Sequence, residues 1–260
     1  MTLKPLTHET LDPLQHGFFT RAGGASSGVF AGLNCGSGST DQSEIVAINR
    51  ARVAQAINRG RVAAQLDVPA DHLVSVHQVH STKVIPVTAP LANKPKADAL
   101  VTATPGLALS VLSADCQPVL FADHKAQVIG AAHAGWRGTL DGVLEATVDA
   151  MEALGASADN IHVVIGPSIS QRAYEVGPEF FETHMAEDDA SARYFANGTG
   201  DRMMYDLPGY GLHRLRSRGV ASAEWTRHCT YSDPAQFFSY RRSVHERAAD
   251  YGRLIAAIRL

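Results

Sequence analysis

The chain has 260 residues, 45% hydrophobic and 19% charged, with a formal net charge of −3, enough to bury a large core as one big domain or two fused halves. No basic stripe suits nucleic acid, no apolar run reaches the roughly 18 residues of a membrane span, and Met1-Thr2-Leu3-Lys4-Pro5 lacks a signal-peptide core. Three cysteines, Cys35, Cys116 and Cys229, are too few for a disulfide framework, so the expectation is a cytoplasmic, reduced protein.

Residues 16–43 are rich in Gly, Ser and Thr and read as turns. Residues 41–66 read as helix. Inside them Ile48-Asn49-Arg50-Ala51-Arg52-Val53-Ala54 recurs nine residues later as Ile57-Asn58-Arg59-Gly60-Arg61-Val62-Ala63. At about 100° per residue the two copies point to opposite helix faces, so only one Asn-Arg pair can face a given site. Short β-type runs follow at Leu73–Val79, Lys83–Val87, Ala99–Thr102, Leu107–Leu112, Pro118–Ala122 and Gln127–Ala132. Several are continuously apolar, as in strands buried on both faces. Gly138–Leu154 carries an apolar stripe and reads as one amphipathic helix stopped by Gly155. Ile161–Ile165 and Leu254–Leu260 read as strands, and Pro178–Met185 and Leu207–Ser217 as helices. The order mixes hairpins with βαβ units, which implies an α/β or α+β fold with a mixed sheet and no linker dividing it.

Three segments end in residues that bind borderline metals: Val76-His77-Gln78-Val79-His80, Ser113-Ala114-Asp115-Cys116 and Ala132-His133-Ala134-Gly135-Trp136-Arg137-Gly138. Two imidazoles and a thiolate suit Zn²⁺, and three protein ligands leave a fourth position for water or substrate. Cys116 and His133 are 17 residues apart, which accommodates two strands and a turn. On a strand His77 and His80 face opposite sides, so one of them can serve, and His80, at the strand end, is preferred. Gln78 is placed to touch bound water or substrate. Arg137, at a helix start, offers a fork for phosphate or carboxylate, or else lies on a solvated face. Cys116 as a buried small hydrophobe and His133 as a structural histidine remain the bland alternatives. There is no His-Glu-x-x-His, no Cys-x-x-Cys and no Walker A sequence. Gly24-Ala25-Ser26-Ser27-Gly28 matches a nucleophile elbow but lies in a turn-rich stretch without the strand and helix that motif requires.

Gln78-Val79-His80, Asp98, Pro105-Gly106, Ala114-Asp115-Cys116-Gln117-Pro118-Val119, His133-Ala134-Gly135-Trp136-Arg137-Gly138, Gly166-Pro167-Ser168-Ile169, Tyr174-Glu175-Val176-Gly177, Cys229-Thr230-Tyr231 and Phe237-Phe238-Ser239-Tyr240-Arg241-Arg242 follow one another as in the YfiH or laccase-domain family. The resemblance covers roughly residues 16–260. It implies one CNF1/YfiH-like α/β (α+β) domain over residues 1–260, with layered mixed sheets flanked by helices and 1–15 as an N-terminal extension. It also implies a zinc site at His80, Cys116 and His133. Family names include multicopper polyphenol oxidase, purine nucleoside phosphorylase and peptidoglycan editing factor. The implied chemistry is phosphorolysis of adenosine, inosine, guanosine or methylthioadenosine and deamination of adenosine. Asp115 is then a candidate proton carrier by position, and Arg137 with Arg59 candidate phosphate ligands. The family's Asn-Arg pair lies 20 residues before Gln78 as Asn58-Arg59, and the repeat leaves Asn49-Arg50 as the rival copy. Competing readings are a hydrolase with Cys116 as nucleophile, a copper oxidase, and a non-catalytic zinc protein. Copper outcompetes zinc for such ligands in vitro, but no His-x-His occurs to build a multicopper centre.

Overall fold

The computed structural model describes residues 3–58 and 73–260. Its strands are β1 (Gln15–Phe18), β2 (Leu73–Val74), β3 (Val84–Pro86), β4 (Ala99–Thr102), β5 (Ala108–Ser113), β6 (Gln117–Asp123), β7 (Val128–Ala134), β8 (Ile161–Ile165), β9 (Glu175–Val176), β10 (Phe195–Asn197), β11 (Met203–Tyr205), β12 (Ser222–Trp225) and β13 (Leu254–Arg259). Its α-helices are α1 (Ser43–Asn58), α2 (Trp136–Asp141), α3 (Val143–Glu152), α4 (Pro178–Glu187), α5 (Leu207–Ser217) and α6 (Tyr240–His245).

One sheet runs β12-β8-β6-β7-β4-β3, parallel at its two outer pairs and antiparallel between them. A second runs β1-β13-β5-β2, and a small third sheet runs β10-β11-β9. Side-chain alternation builds the layers. Leu109 and Val111 of β5 and Ala256 and Ile258 of β13 meet Leu100, Leu120, Ala122 and Ile129 of the larger sheet in one core. The alternate residues Val101, Val119 and Phe121 turn outward against Val143, Leu144, Val148 and Met151 of α3 and Leu215 of α5. Ala108, Ile255 and Ala257 turn the other way, against Val53 and Ile57 of α1. The order is helix, sheet, sheet, helix. The central strands are covered on both faces, which accounts for their continuous apolar runs.

The structure corrects several sequence expectations. The run expected as a strand over Leu73–Val79 is strand only at Leu73–Val74 and continues as a loop. The single helix expected over Gly138–Leu154 is two, broken at Gly142, whose φ of +101° is left-handed. Arg214 donates to the Thr139 and Leu140 carbonyls there, closing the end of α2. Residues 3–14, within the stretch expected as an N-terminal extension, lie against the body: Leu6 pairs with Phe18 and Leu11 is fully buried, which leaves that expectation standing. The helix expected over residues 41–66 is found as Ser43–Asn58; residues 59–66, with Arg59, lie outside the described residues. No described helix is long and apolar enough to cross a membrane.

Candidate metal centre

Strand pairing assembles the site. In the β6–β7 hairpin Gln117 faces Ala134 and Pro118 faces His133, so Cys116, just before β6, arrives beside Gly135. A Cβ built on Gly135 would come within 2.8 Å of His80 Cδ2 and 3.0 Å of Cys116 Sγ, so only glycine admits both side chains without a shift. The third residue comes from the loop after β2. There Gln78 replaces a strand with its own side chain. Its Nε2 donates to the Leu112 carbonyl and its Oε1 accepts from the Leu112 N–H, both at 2.8 Å. Gln78, expected at the bound water or substrate, instead fastens the His80 loop to β5.

Asp98, immediately before β4, binds the parts together. Its Oδ2 accepts from the N–H groups of Val79 (3.1 Å) and Ser81 (2.6 Å) and from the Ser81 hydroxyl (2.9 Å). Its Oδ1 accepts from the His80 N–H (3.0 Å) and lies 2.9 Å from His133 Nδ1. The Asp98 carbonyl also accepts from the His133 N–H. These bonds hold His80 at φ +61°, a left-handed conformation uncommon outside glycine. Asp98 is fully buried. Burial works against its charge, but the bonds from His133 and Ser81 prevail and lower its pKa to about 2. Sequence reasoning had only Asp98's place in a family block and assigned it no role.

His80, Cys116 and His133 offer ligand atoms that all lie within 4.8 Å of one another, and among the described residues they form the one such group of histidines, cysteines and acids. The Cys116 sulfur is 3.8 Å from His80 Nε2. The rings of His80 and His133 meet edge to face at 4.8 Å. Tetrahedral zinc, with Zn–S about 2.3 Å and Zn–N about 2.0–2.1 Å, sets sulfur and nitrogen about 3.6 Å apart, so the donors fit the ion. His133 Nδ1 is engaged by Asp98, which leaves Nε2 as the ligating nitrogen. His133 is buried, Cys116 half-buried and His80 exposed, so the group opens on its His80 side. Burial would raise the Cys116 thiol, but the charge of His133 and the hydrogen bonds of both histidines outweigh it and bring it to about 6. Burial would likewise lower His133, and Cys116 with Asp98 raises it to about 9. Without a metal the pair is a thiolate beside an imidazolium.

Other sequence candidates are placed differently. Asp115, at φ +103°, accepts from the Thr230 and Ser239 hydroxyls and the Arg241 N–H. Its carboxylate therefore fixes the turn before Cys116. Arg137 pairs with Asp141 and Glu187 on a half-exposed surface. Asn49 is fully buried and ties Ala25, Ser26 and Asn34 to α1. Arg50 reaches Ser75, on the segment that leads to His80. His77 is exposed and pairs through its backbone with Pro95 and Ala97. Cys35 is fully buried and its thiol pushed up to about 12. Arg241 and Tyr174, quoted only as family blocks, also border this region. The Arg241 guanidinium lies 5.2 Å from the Tyr174 ring centre and donates to the Glu175 carbonyl.

A family model described as multi-copper polyphenol oxidoreductase laccase matches residues 15–260. The chain belongs to this family. Among its relatives, a protein of Deinococcus radiodurans named purine nucleoside phosphorylase is 40% identical over 252 residues, covering 94% of this chain and 88% of the relative. The Escherichia coli protein named purine nucleoside phosphorylase YfiH is 39% identical over 225 residues, 86% of each chain. Within the same fold, a solved structure of a Bacillus licheniformis hypothetical protein YfiH superposes with a TM-score of 0.87 at 28% identity, covering 100% of this chain and 96% of that one. Laccase-domain membership thus agrees with the mixed α/β architecture and with a three-donor group able to hold a metal.

Proposed function

We propose that this laccase-domain chain is a cytoplasmic, zinc-dependent purine nucleoside enzyme. It would cleave adenosine, inosine, guanosine or methylthioadenosine with phosphate and deaminate adenosine. The observation that carries the reading is the convergence of His80, Cys116 and His133, in a chain whose relatives are named purine nucleoside phosphorylase. His80 Nε2, Cys116 Sγ and His133 Nε2 would hold the zinc. When bound, the ion supplies Lewis acidity at an open coordination position. Asp98 fixes the His133 tautomer and the His80 loop, and Gly135 leaves room for His80 and Cys116. Asp115 positions Cys116 through its bonds to Thr230, Ser239 and Arg241. Phosphorolysis also needs fixed cationic donors for phosphate, the role proposed for the Asn-Arg segment of α1. A panel of nucleosides, with and without phosphate, on metal-defined protein tests the reading. Turnover of purine nucleosides well above a Cys116→Ala background supports it, and no turnover above that background removes it.

One observation favours a second reading. Cys116, His133 and Asp98 line up as nucleophile, base and orienting carboxylate, with the sulfur lowered to about 6. That arrangement suits a cysteine hydrolase that removes a wrongly added amino acid from a cell-wall precursor. A nucleophile loses activity and keeps metal on Cys116→Ser, whereas a ligand loses both.

A further inference from the structure

A guanidinium withdrawn from water ordinarily finds a carboxylate, because an unpaired buried charge is strongly disfavoured. Among the described residues Arg50 has no carboxylate partner. It is half-buried, and its partners are neutral: the Ser75 hydroxyl at 3.0 Å and, at the limit of hydrogen bonding, the Cys35 carbonyl at 3.5 Å. The Cys35 thiol beside it is held protonated by burial. The two carboxylates that bind residues 34–40 are engaged by other groups. Asp41 accepts from Ser26 and Asn34, and Asp250 accepts from Thr40 and pairs with Arg253.

A second cation reaches the same turn, at Ser37, two residues after the Cys35 carbonyl that Arg50 approaches. Lys94, on the exposed rim, donates from Nζ to the Ser37 hydroxyl at 3.3 Å. Among the described residues no salt bridge involves Lys94 or Arg50. The surrounding chain is the turn of residues 35–40, where a Cβ on Gly38 would meet nothing within 4 Å, so there is open space beside Ser37. Two cations and two hydroxyls thus border one turn, and among the described residues no carboxylate pairs with either cation. Arg137 has the opposite situation, already neutralised by Asp141 and Glu187.

We infer that Arg50, Lys94, Ser37 and Ser75 form an oxyanion-binding site for a phosphate dianion. The site lies on the segment that continues, five residues after Ser75, to His80. It selects Arg50 over Arg137 as the phosphate ligand and adds Lys94 as its partner, and it rests on the phosphorolysis reading only for the role of the anion. A dianion there would relieve the repulsion between the two cations and accept from both hydroxyls.

The test is direct binding of inorganic phosphate by calorimetry, at matched ionic strength, to full-length zinc-loaded protein. Wild type should bind, and Lys94→Ala, at an exposed rim position that spares the core, should bind roughly tenfold more weakly, about 1.4 kcal/mol. Arg50→Gln, which retains a donor for Ser75, should weaken binding at least as much. Lys125→Ala, an exposed lysine elsewhere, should bind like wild type. Equal phosphate binding by wild type and Lys94→Ala, with both chains folded by circular dichroism, overturns the site. The KM for phosphate during nucleoside turnover separates it from the activity itself. If phosphate binds in a Lys94-dependent way and no nucleoside is cleaved, the site stands and the phosphorolysis reading falls. If nucleosides are cleaved and Lys94→Ala leaves the phosphate KM unchanged, the activity stands and the site falls.

Discussion

Replacing Asp98 by Asn changes one oxygen to an amide nitrogen where five donors converge on two oxygens. The amide NH₂ can sit in either position. In place of Oδ2 it would face the N–H groups of Val79 and Ser81 and the Ser81 hydroxyl. Those are the larger number of lost bonds, so the NH₂ is expected at Oδ1. There it opposes the His80 N–H, leaving a donor unpaired at about 1–3 kcal/mol. It also donates to His133 Nδ1, which must then accept, and the ring proton moves to Nε2, the nitrogen that would ligate zinc. Loss of such a supporting carboxylate typically lowers metal affinity about 10–100-fold. The assay is zinc competition with a chromophoric chelator, run beside a thermal melt. Asp98→Asn should melt lower and hold zinc at least tenfold more weakly. An Asp98→Asn protein that melts lower yet keeps wild-type zinc affinity would refute the claim that Asp98 sets the ligating nitrogen of His133.

Gly135→Ala would push on His80 and Cys116 together, and metal analysis should find zinc occupancy sharply reduced while circular dichroism retains the secondary structure. In metal-free protein, Cys116 is lowered to about 6 and His133 raised to about 9, so thiolate and imidazolium coexist between those values. The thiolate is lost as pH falls through about 6 and the imidazolium as pH rises through about 9; iodoacetamide labelling of Cys116 should therefore reach half its maximum near pH 6, whereas a midpoint near 9 contradicts the pairing. Gln78→Ala strips partners from both the N–H and the carbonyl of Leu112, and urea unfolding should show a loss of about 1–3 kcal/mol together with weaker zinc retention as the His80 loop loosens.

The parts of the fold legible in sequence are those where local pattern and burial agree. Ala99–Thr102, Ile161–Ile165 and Leu207–Ser217 were expected at the boundaries found, because turn residues flank apolar runs of suitable period. Short elements carry no such signal: β9, β10 and β12 have two to four residues each, and β1 falls where the sequence reads as extension and turn-rich chain. The loop before His80 resembles a strand in sequence for a definite reason. Leu73–Val79 is apolar enough for a strand, but the Gln78 side chain takes over the hydrogen bonds that a strand backbone would make to Leu112. The preference for His80 over His77 therefore rested on strand alternation that the chain does not have; the left-handed backbone at His80, held by Asp98, is what aims the ring. Asp98 itself lies 18 residues from His80 and 35 from His133, and no local pattern connects them. Gly142 and the pairing of Arg137 with Glu187 were hidden in the same way, being decided by tertiary contacts.

The most direct test of the central claim is the zinc content of freshly purified wild-type and Cys116→Ser protein, measured with the phosphorolysis rate on the same samples. The account predicts about one zinc per chain in the wild type, and loss of zinc and phosphorolysis together in Cys116→Ser. A Cys116→Ser protein that keeps its zinc while losing all activity would contradict it and make Cys116 the nucleophile.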